Sequence, residues 1–235
     1  PPHLALAVTG AAVAGALVAA LNERLAYAAL RRRRAPALYL MISAMGCAVF
    51  LENLVYAVLG SRFYAFPEMI ARSVVTLGGT SVSLLDAGAL GFALLAILAL
   101  HLFLTRTVTG LAIRAGVSDM TMCALMGVNL DRLILVVFLL AGAFAGVAGA
   151  FLGVKYMVYP TMGWITNKAY IAAVIGGLGS LPGALLGGLL LGVTETVVST
   201  YISSVLRDVF SFAILIALLL YLPHGLLGRE AEEKI

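Results

Sequence analysis

Two carboxylates stand inside stretches apolar enough for lipid. Glu52 lies beside Asn53 within the run 37–59, and Glu195 sits between Thr194 and Thr196 in a later glycine-rich run. An ionisable group in hydrocarbon is costly, so such residues invite a functional reading. The chemistry they offer is hydrogen bonding to a zwitterionic or amide solute, as polar points along a translocation path. The competing use is polar glue between helices, or a protonated carboxyl. Asp86 lies near the end of its own run, where water is easier to reach. Catalysis has less to stand on. His3, His101 and His224 are far apart, and no H-E-x-x-H or G-x-S-x-G motif is present. Cys47 and Cys123 show neither a disulfide framework nor metal-ligand spacing and read as small core-filling residues.

The elements that must position these residues follow from composition. The 235 residues are 63% hydrophobic and 11% charged, with mean hydropathy +1.09. A soluble domain needs a charged shell of about a quarter of its residues. The chain therefore faces lipid, and backbone satisfaction in hydrocarbon makes helices its spanning form. An all-α, polytopic bundle is expected, a single transmembrane domain over 1–235. Runs at 4–21, 37–59, 84–104 and 132–153 have the length of spans, followed by a broken region at 165–202 and a last run at 208–222. That makes six to seven membrane-inserted helices. The chain opens Pro-Pro-His with no methionine, so part of the N-terminus is expected upstream.

Basic residues orient the spans. Residues 22–36 carry Arg24 and the run Arg31 to Arg34, which makes that connector cytoplasmic. Between two spans the run meets anionic lipid headgroups rather than nucleic acid. The 105–131 connector, with Arg106 and Arg114, is cytoplasmic by the same reasoning. The 60–83 connector is then external; its Arg62, Glu68 and Arg72 either dock a soluble partner or cap the bundle. Tyr159 and Trp164 read as interfacial anchors.

Residues 172–190, AAVIGGLGSLPGALLGGLL, place helix breakers in an apolar run. Gly176, Gly177, Gly179, Pro182 and Gly183 predict a turn between two helices, the first of them short for a full crossing. Gly179, Gly183 and Gly187 fall four apart, as do Gly188 and Gly192; Gly142 with Gly146, and Gly149 with Gly153, repeat the spacing. Small residues on one face permit close helix contact in lipid. Around a break they also suit a transport protein with discontinuous helices.

The 105–131 connector predicts a short helix, capped by Ser118, with Asp119 in its first turn and Gly127 at its end. Met120, Met122, Leu125 and Met126 make it apolar, yet it is too short to span. It either lies on the membrane or presses into a groove on a partner.

Here a resemblance enters. Arg114-Ala115, Asp119, Ala124-Leu-Met-Gly-Val-Asn129 and Asp131-Arg132 resemble the cytoplasmic coupling segment of permease subunits from bacterial ABC importers for branched-chain amino acids. Residues 141–149, Tyr159-Pro-Thr-Met-Gly163, Asn167-Lys-Ala-Tyr170 and Ile175-Gly-Gly-Leu-Gly-Ser-Leu-Pro-Gly183, with Glu195 beyond, are similar too, as are Arg34-Ala-Pro36 and Leu51-Glu-Asn53. Two departures are a missing N-terminal portion and Leu222-Pro-His224-Gly, where a basic residue commonly follows the proline.

The resemblance implies a permease subunit in the bacterial inner membrane, carrying a branched-chain or other hydrophobic amino acid. Ser118, Asp119, Met122, Ala124, Leu125, Met126 and Gly127 would couple it to an ATPase. The chain has no G-x-x-x-x-G-K-[ST] loop, so it is not expected to be the enzyme. ATP and magnesium would sit on partners: two ATP-binding subunits, with a second permease (a relative or a copy) and a soluble substrate-binding protein completing the assembly. No cofactor on this chain is implied. Urea or a short amide is the alternative cargo, and an ion-coupled secondary transporter acting alone is the alternative class.

Overall fold

A computed structural model describes residues 2–33, 35–64, 74–77, 80–222 and 224–228. It divides into two compact units, Pro1–Thr161 and Met162–Ile235. Five described helices are long and apolar enough to cross a membrane: Leu6–Arg32, Leu38–Leu59, Leu84–Arg106, Leu130–Tyr156 and Leu181–Tyr201. Two shorter ones lie in the second unit, and the predicted spans and the broken hairpin appear within a few residues of their expected ends, except that the first span continues to Arg32.

In the first unit, α1 (Pro2–Asn22) passes through a π-helical turn, Glu23–Tyr27, into α2 (Ala28–Arg32). The sequence reading ended this span at residue 21 because polar residues begin there. The backbone instead stays helical through them, leaving a far shorter link to α3 (Ala37–Leu59). Two strands follow, β1 (Val74–Leu77) and β2 (Thr80–Ser83), paired antiparallel with Leu77 opposite Thr80. Between these partners the sequence has Gly78-Gly79. This ribbon is an addition to the expected all-helical fold. Glu68 and Arg72 lie outside the described residues, as do Arg34 and the side chains of His3 and Trp164. Tyr159 packs its ring on Phe63, with centroids 5.6 Å apart.

Beyond the ribbon run α4 (Leu84–Arg106), α5 (Val108–Ser118), α6 (Met120–Leu125) and α7 (Leu130–Tyr156). The close packing in this unit joins α1 to α7. A Cβ on Gly15 would strike the carbonyl oxygen of Gly142 and the backbone of Gly146, and one on Gly146 would strike the carbonyl of Ala11. Bare backbones thus meet where lipid offers no hydrophobic drive to associate. The Gly142/Gly146 spacing serves this contact, whereas Gly149 meets nothing. Aromatic pairs flank it, Tyr27 with Phe138 at 5.2 Å and Phe92 with Phe151 at 5.5 Å. Asp86 pairs with Lys155 at 2.6 Å, tying α4 to α7.

The second unit holds a short 3₁₀ turn (Pro160–Trp164, begun in the first unit), α8 (Ile165–Gly176), α9 (Leu181–Tyr201) and α10 (Arg207–Tyr221). Its apolar centre is Ile171, Ile175 and Leu191, with Ile214, Leu215 and Leu218 packed against them.

Candidate functional site

The 105–131 connector begins with a sharp corner. Thr107 caps α5 by accepting the Gly110 N–H at 3.0 Å, and Gly110 lies against the backbone of Phe103 and Leu104. The sequence reading missed α5 because its Gly- and Thr-containing run has no span-like hydropathy.

At the next junction the expected cap moves by one residue. Ser118 is the last residue of α5, its hydroxyl donating weakly to the Arg114 carbonyl at 3.4 Å. Asp119 caps α6 instead, one carboxylate oxygen accepting from Thr121 N–H at 2.8 Å and Met122 N–H at 3.0 Å. The reason is conformational. Asp119 has the extended backbone of a cap (φ −158°, ψ 104°), while Ser118 continues the preceding helix. The other end matches the expectation: Gly127 has φ +84°. Its N–H donates to Ala124 O at 3.0 Å and Val128 N–H to Cys123 O at 3.3 Å. This pair of bonds closes a helix on a left-handed residue that glycine adopts without strain.

The helix is six residues long and capped at both ends. Cys123 is its anchor, buried, with Sγ donating to the Ala112 carbonyl at 3.8 Å. Gly116 lies against the Leu133 side chain, joining α5 to α7, and Asn129 caps α7 by accepting the Arg132 N–H at 3.1 Å. Met122, Leu125 and Met126 project outward, the last 83% exposed. Ala124 is exposed among them.

The first unit also holds Glu52 and Asn53, both on exposed positions of α3. Asn53 donates to its own helix at Val49 O, 2.8 Å away. Glu52 has no ion pair among the described residues.

Glu195 belongs to the second unit and is heavily engaged. One carboxylate oxygen accepts from Lys168 Nζ at 2.9 Å and from Ser211 Oγ at 3.1 Å. Lys168 reaches Asp208 at 2.7 Å, and Arg207 Nε stands 3.8 Å from Glu195. Lys168 on α8, Glu195 on α9 and Asp208, Arg207 and Ser211 on α10 thus form a charge-balanced clamp across three helices. Thr194 stays outside it, returning its hydroxyl to Leu190 O at 2.7 Å. Arg207, Asp208 and Ser211 were not singled out from the sequence, and Lys168 entered only within the motif Asn167-Lys-Ala-Tyr170. The signal was a set of polar residues at the ends of apolar runs, all on one side of the predicted hairpin.

At the other end of that unit lies the break. Ser180 caps α9 by accepting Gly183 N–H at 3.1 Å, with Pro182 in the first turn, where the missing N–H costs nothing. A Cβ on Gly183 would strike the Gly176 carbonyl, and one on Gly187 the Ala172 carbonyl. Gly179 is not part of this face. It lies in the turn at φ +89° and meets nothing, because α9 begins two residues after it. Gly188 and Gly192 likewise meet nothing within 4 Å. Gly177, at φ +104°, lets the chain leave α8, and its backbone abuts Gly225 and Gly228. Leu226 and Leu227 N–H donate to Ile175 O and Gly176 O, both at 3.0 Å. The C-terminal turn therefore satisfies the last carbonyls of α8, which a helix leaves unpaired.

The family described as "Branched-chain amino acid transport system / permease component" matches residues 1–219. LivH of Escherichia coli K12, a high-affinity branched-chain amino acid transport system permease protein, is 39% identical over 219 residues, covering 91% of this chain and 70% of LivH. BraD of Pseudomonas aeruginosa, of the same description, is 37% identical over 221 residues, covering 91% of this chain and 71% of BraD. A probable LivH of Methanocaldococcus jannaschii is 30% identical over 249 residues, covering 97% of this chain and 75% of that protein. No solved structure matches. With its helical spans, its capped short helix and a family match over nearly its whole length, the chain belongs to the permease components of branched-chain amino acid transport systems.

Proposed function

We propose that this chain is a membrane permease subunit of an ABC importer that passes a branched-chain or other hydrophobic amino acid across the cytoplasmic membrane. ATP is hydrolysed with magnesium on two partner subunits, a soluble binding protein delivers the substrate, and a second permease completes the path. One observation carries the reading beyond the family: α6 is a helix capped at both ends and anchored on α5 through Cys123, with an apolar outer face and no role as a span. A helix so held transmits a push, which a flexible loop would absorb. Its Met and Leu side chains suit a hydrophobic groove on a partner, since Met adapts to irregular apolar surfaces.

The chain's own residues do three things in this scheme. Asp119 and Gly127 hold α6 in shape, Met122, Leu125 and Met126 meet the ATPase, and the bundle carries the movement to the path. A binding protein supplies affinity, so weak polar contacts suffice within the membrane. The test is purification of the assembly with Met122→Glu and Leu125→Glu. Loss of both the ATPase and ATP-driven uptake, with the permease still folded, is the expected result. Full retention of both would end the coupling role of α6.

A further inference from the structure

The apolar face of α6 explains how a push enters, but not how it leaves α7. The α1/α7 contact is made by small residues: Gly15, Gly142, Gly146 and Ala11 meet through their backbones, and the Ala19 methyl lies against Gly142. Such a surface has few protruding side chains to resist sliding along the axis. Something directional must fix the register of the two helices.

The structure places one ion network at that junction. Arg31 Nη2 lies 2.9 Å from Glu23 Oε1 and 2.7 Å from Asp131 Oδ1, with Nε 3.3 Å from the same Asp131 oxygen. Arg32 adds a looser contact to Asp131 at 3.8 Å. Glu23 is 3% exposed and lies in the π-helical turn, an irregularity often found at working parts of helices. Asp131 is in the first turn of α7, two residues after the Asn129 cap and four after Gly127 closes α6. Arg31 therefore joins the end of the first helical run to the point where the coupling segment enters α7.

We propose that Arg31 is a positioning residue for transport, locking α1 to α7 through Glu23 and Asp131 so that movement of α6 displaces both helices together. The role rests on the coupling reading given above. The planar guanidinium suits it, because one fork holds two carboxylates in fixed directions where an ammonium would act as a point charge. Without Asp131 the fork keeps Glu23 satisfied but loses α7, and the push on α7 is spent in slip along the glycine surface.

The test uses the complete assembly in proteoliposomes, with ATPase retention, ATP turnover and leucine uptake measured together. Asp131→Asn is the informative variant, since it preserves shape and leaves the Arg31–Glu23 pair intact. Expected are full ATPase retention, continued ATP turnover, and uptake per ATP lowered roughly fivefold or more. In the Arg31→Ala, Asp131→Asn double variant the loss should be no deeper than in Arg31→Ala alone, as for residues acting through each other. If Asp131→Asn does not accumulate, Arg31→Lys is measured in the same way, with the same loss expected. Unchanged uptake per ATP overturns the proposal while leaving the coupling reading intact. Release of the ATPase by Asp131→Asn overturns it too, because the residue would then serve docking. A wild-type chain that retains no ATPase overturns the coupling reading itself.

Discussion

Lys168 and Glu195, 27 residues apart in sequence, meet at 2.9 Å across α8 and α9. Lysine reaches on to Asp208 at 2.7 Å, so a single ammonium holds carboxylates from two other helices. Its side chain is 19% exposed and that of Glu195 is 17% exposed, enough burial to make each charge depend on its partner.

Lys168→Met should therefore cost more than Glu195→Gln. The first leaves the Glu195 and Asp208 carboxylates with only the looser Arg207 contacts, both at 3.8 Å; the second leaves Lys168 paired with Asp208. We expect about 2–4 kcal/mol for the lysine variant and about 1–2 kcal/mol for the glutamine variant. Thermal unfolding in detergent orders the two. A larger loss for Glu195→Gln would mean that Lys168 is not the hub.

The same variants separate clamp from path. If Glu195 contributes to passage, Glu195→Gln alters substrate-stimulated ATP turnover beyond what its stability loss explains. Equal turnover in a folded, stable variant assigns the residue to helix clamping alone. Glu52→Gln, on an exposed face of α3, is the companion measurement.

Caps on α6 can be ranked. Asp119→Ala removes two charge-assisted hydrogen bonds to backbone N–H groups and should cost about 1 kcal/mol or more. Ser118→Ala should cost less, since its hydroxyl makes only a 3.4 Å bond within α5. Gly127→Ala forces a side chain into the left-handed region, at about 1 kcal/mol. ATPase retention and ATP-driven uptake should fall with Asp119→Ala and Gly127→Ala more than with Ser118→Ala.

Glycines divide into contact and non-contact sets. Gly146→Val drives a side chain into the Ala11 carbonyl, and overpacking of this kind costs about 1–3 kcal/mol. Gly149→Ala and Gly188→Ala meet open space and should fold like the parent. Yield of folded protein from membranes is the measurement, and an equally stable Gly146→Val would dissolve the α1/α7 packing argument.

Much of this was legible because spans announce themselves through hydropathy and breaks through Gly and Pro. The hairpin after Gly176 and the glycine end of α6 follow from local chemistry. The Arg31 network does not, since its partner Asp131 lies 100 residues away and an arginine run looks the same whether paired or solvated. The pairing of Lys168 was hidden for the same reason. The ribbon at 74–83 carried a signal that was passed over: Val-Val-Thr-Leu-Gly-Gly-Thr-Ser-Val-Ser is a Gly-Gly hairpin pattern inside a stretch read only as a connector. Spacing alone also overcounted contact glycines, because a four-residue interval says nothing about which face meets a neighbour.

The seal that Leu226 and Leu227 place on the end of α8 sets an order of assembly. Those two amides are made after α8, α9 and α10, so the final carbonyls of α8 lack these partners until the chain has turned back beyond α10. The second unit is thus completed by its last strokes rather than its first. A chain ended at Tyr221 would carry α8, α9 and α10 without that seal, and should unfold in detergent at a lower temperature than the parent.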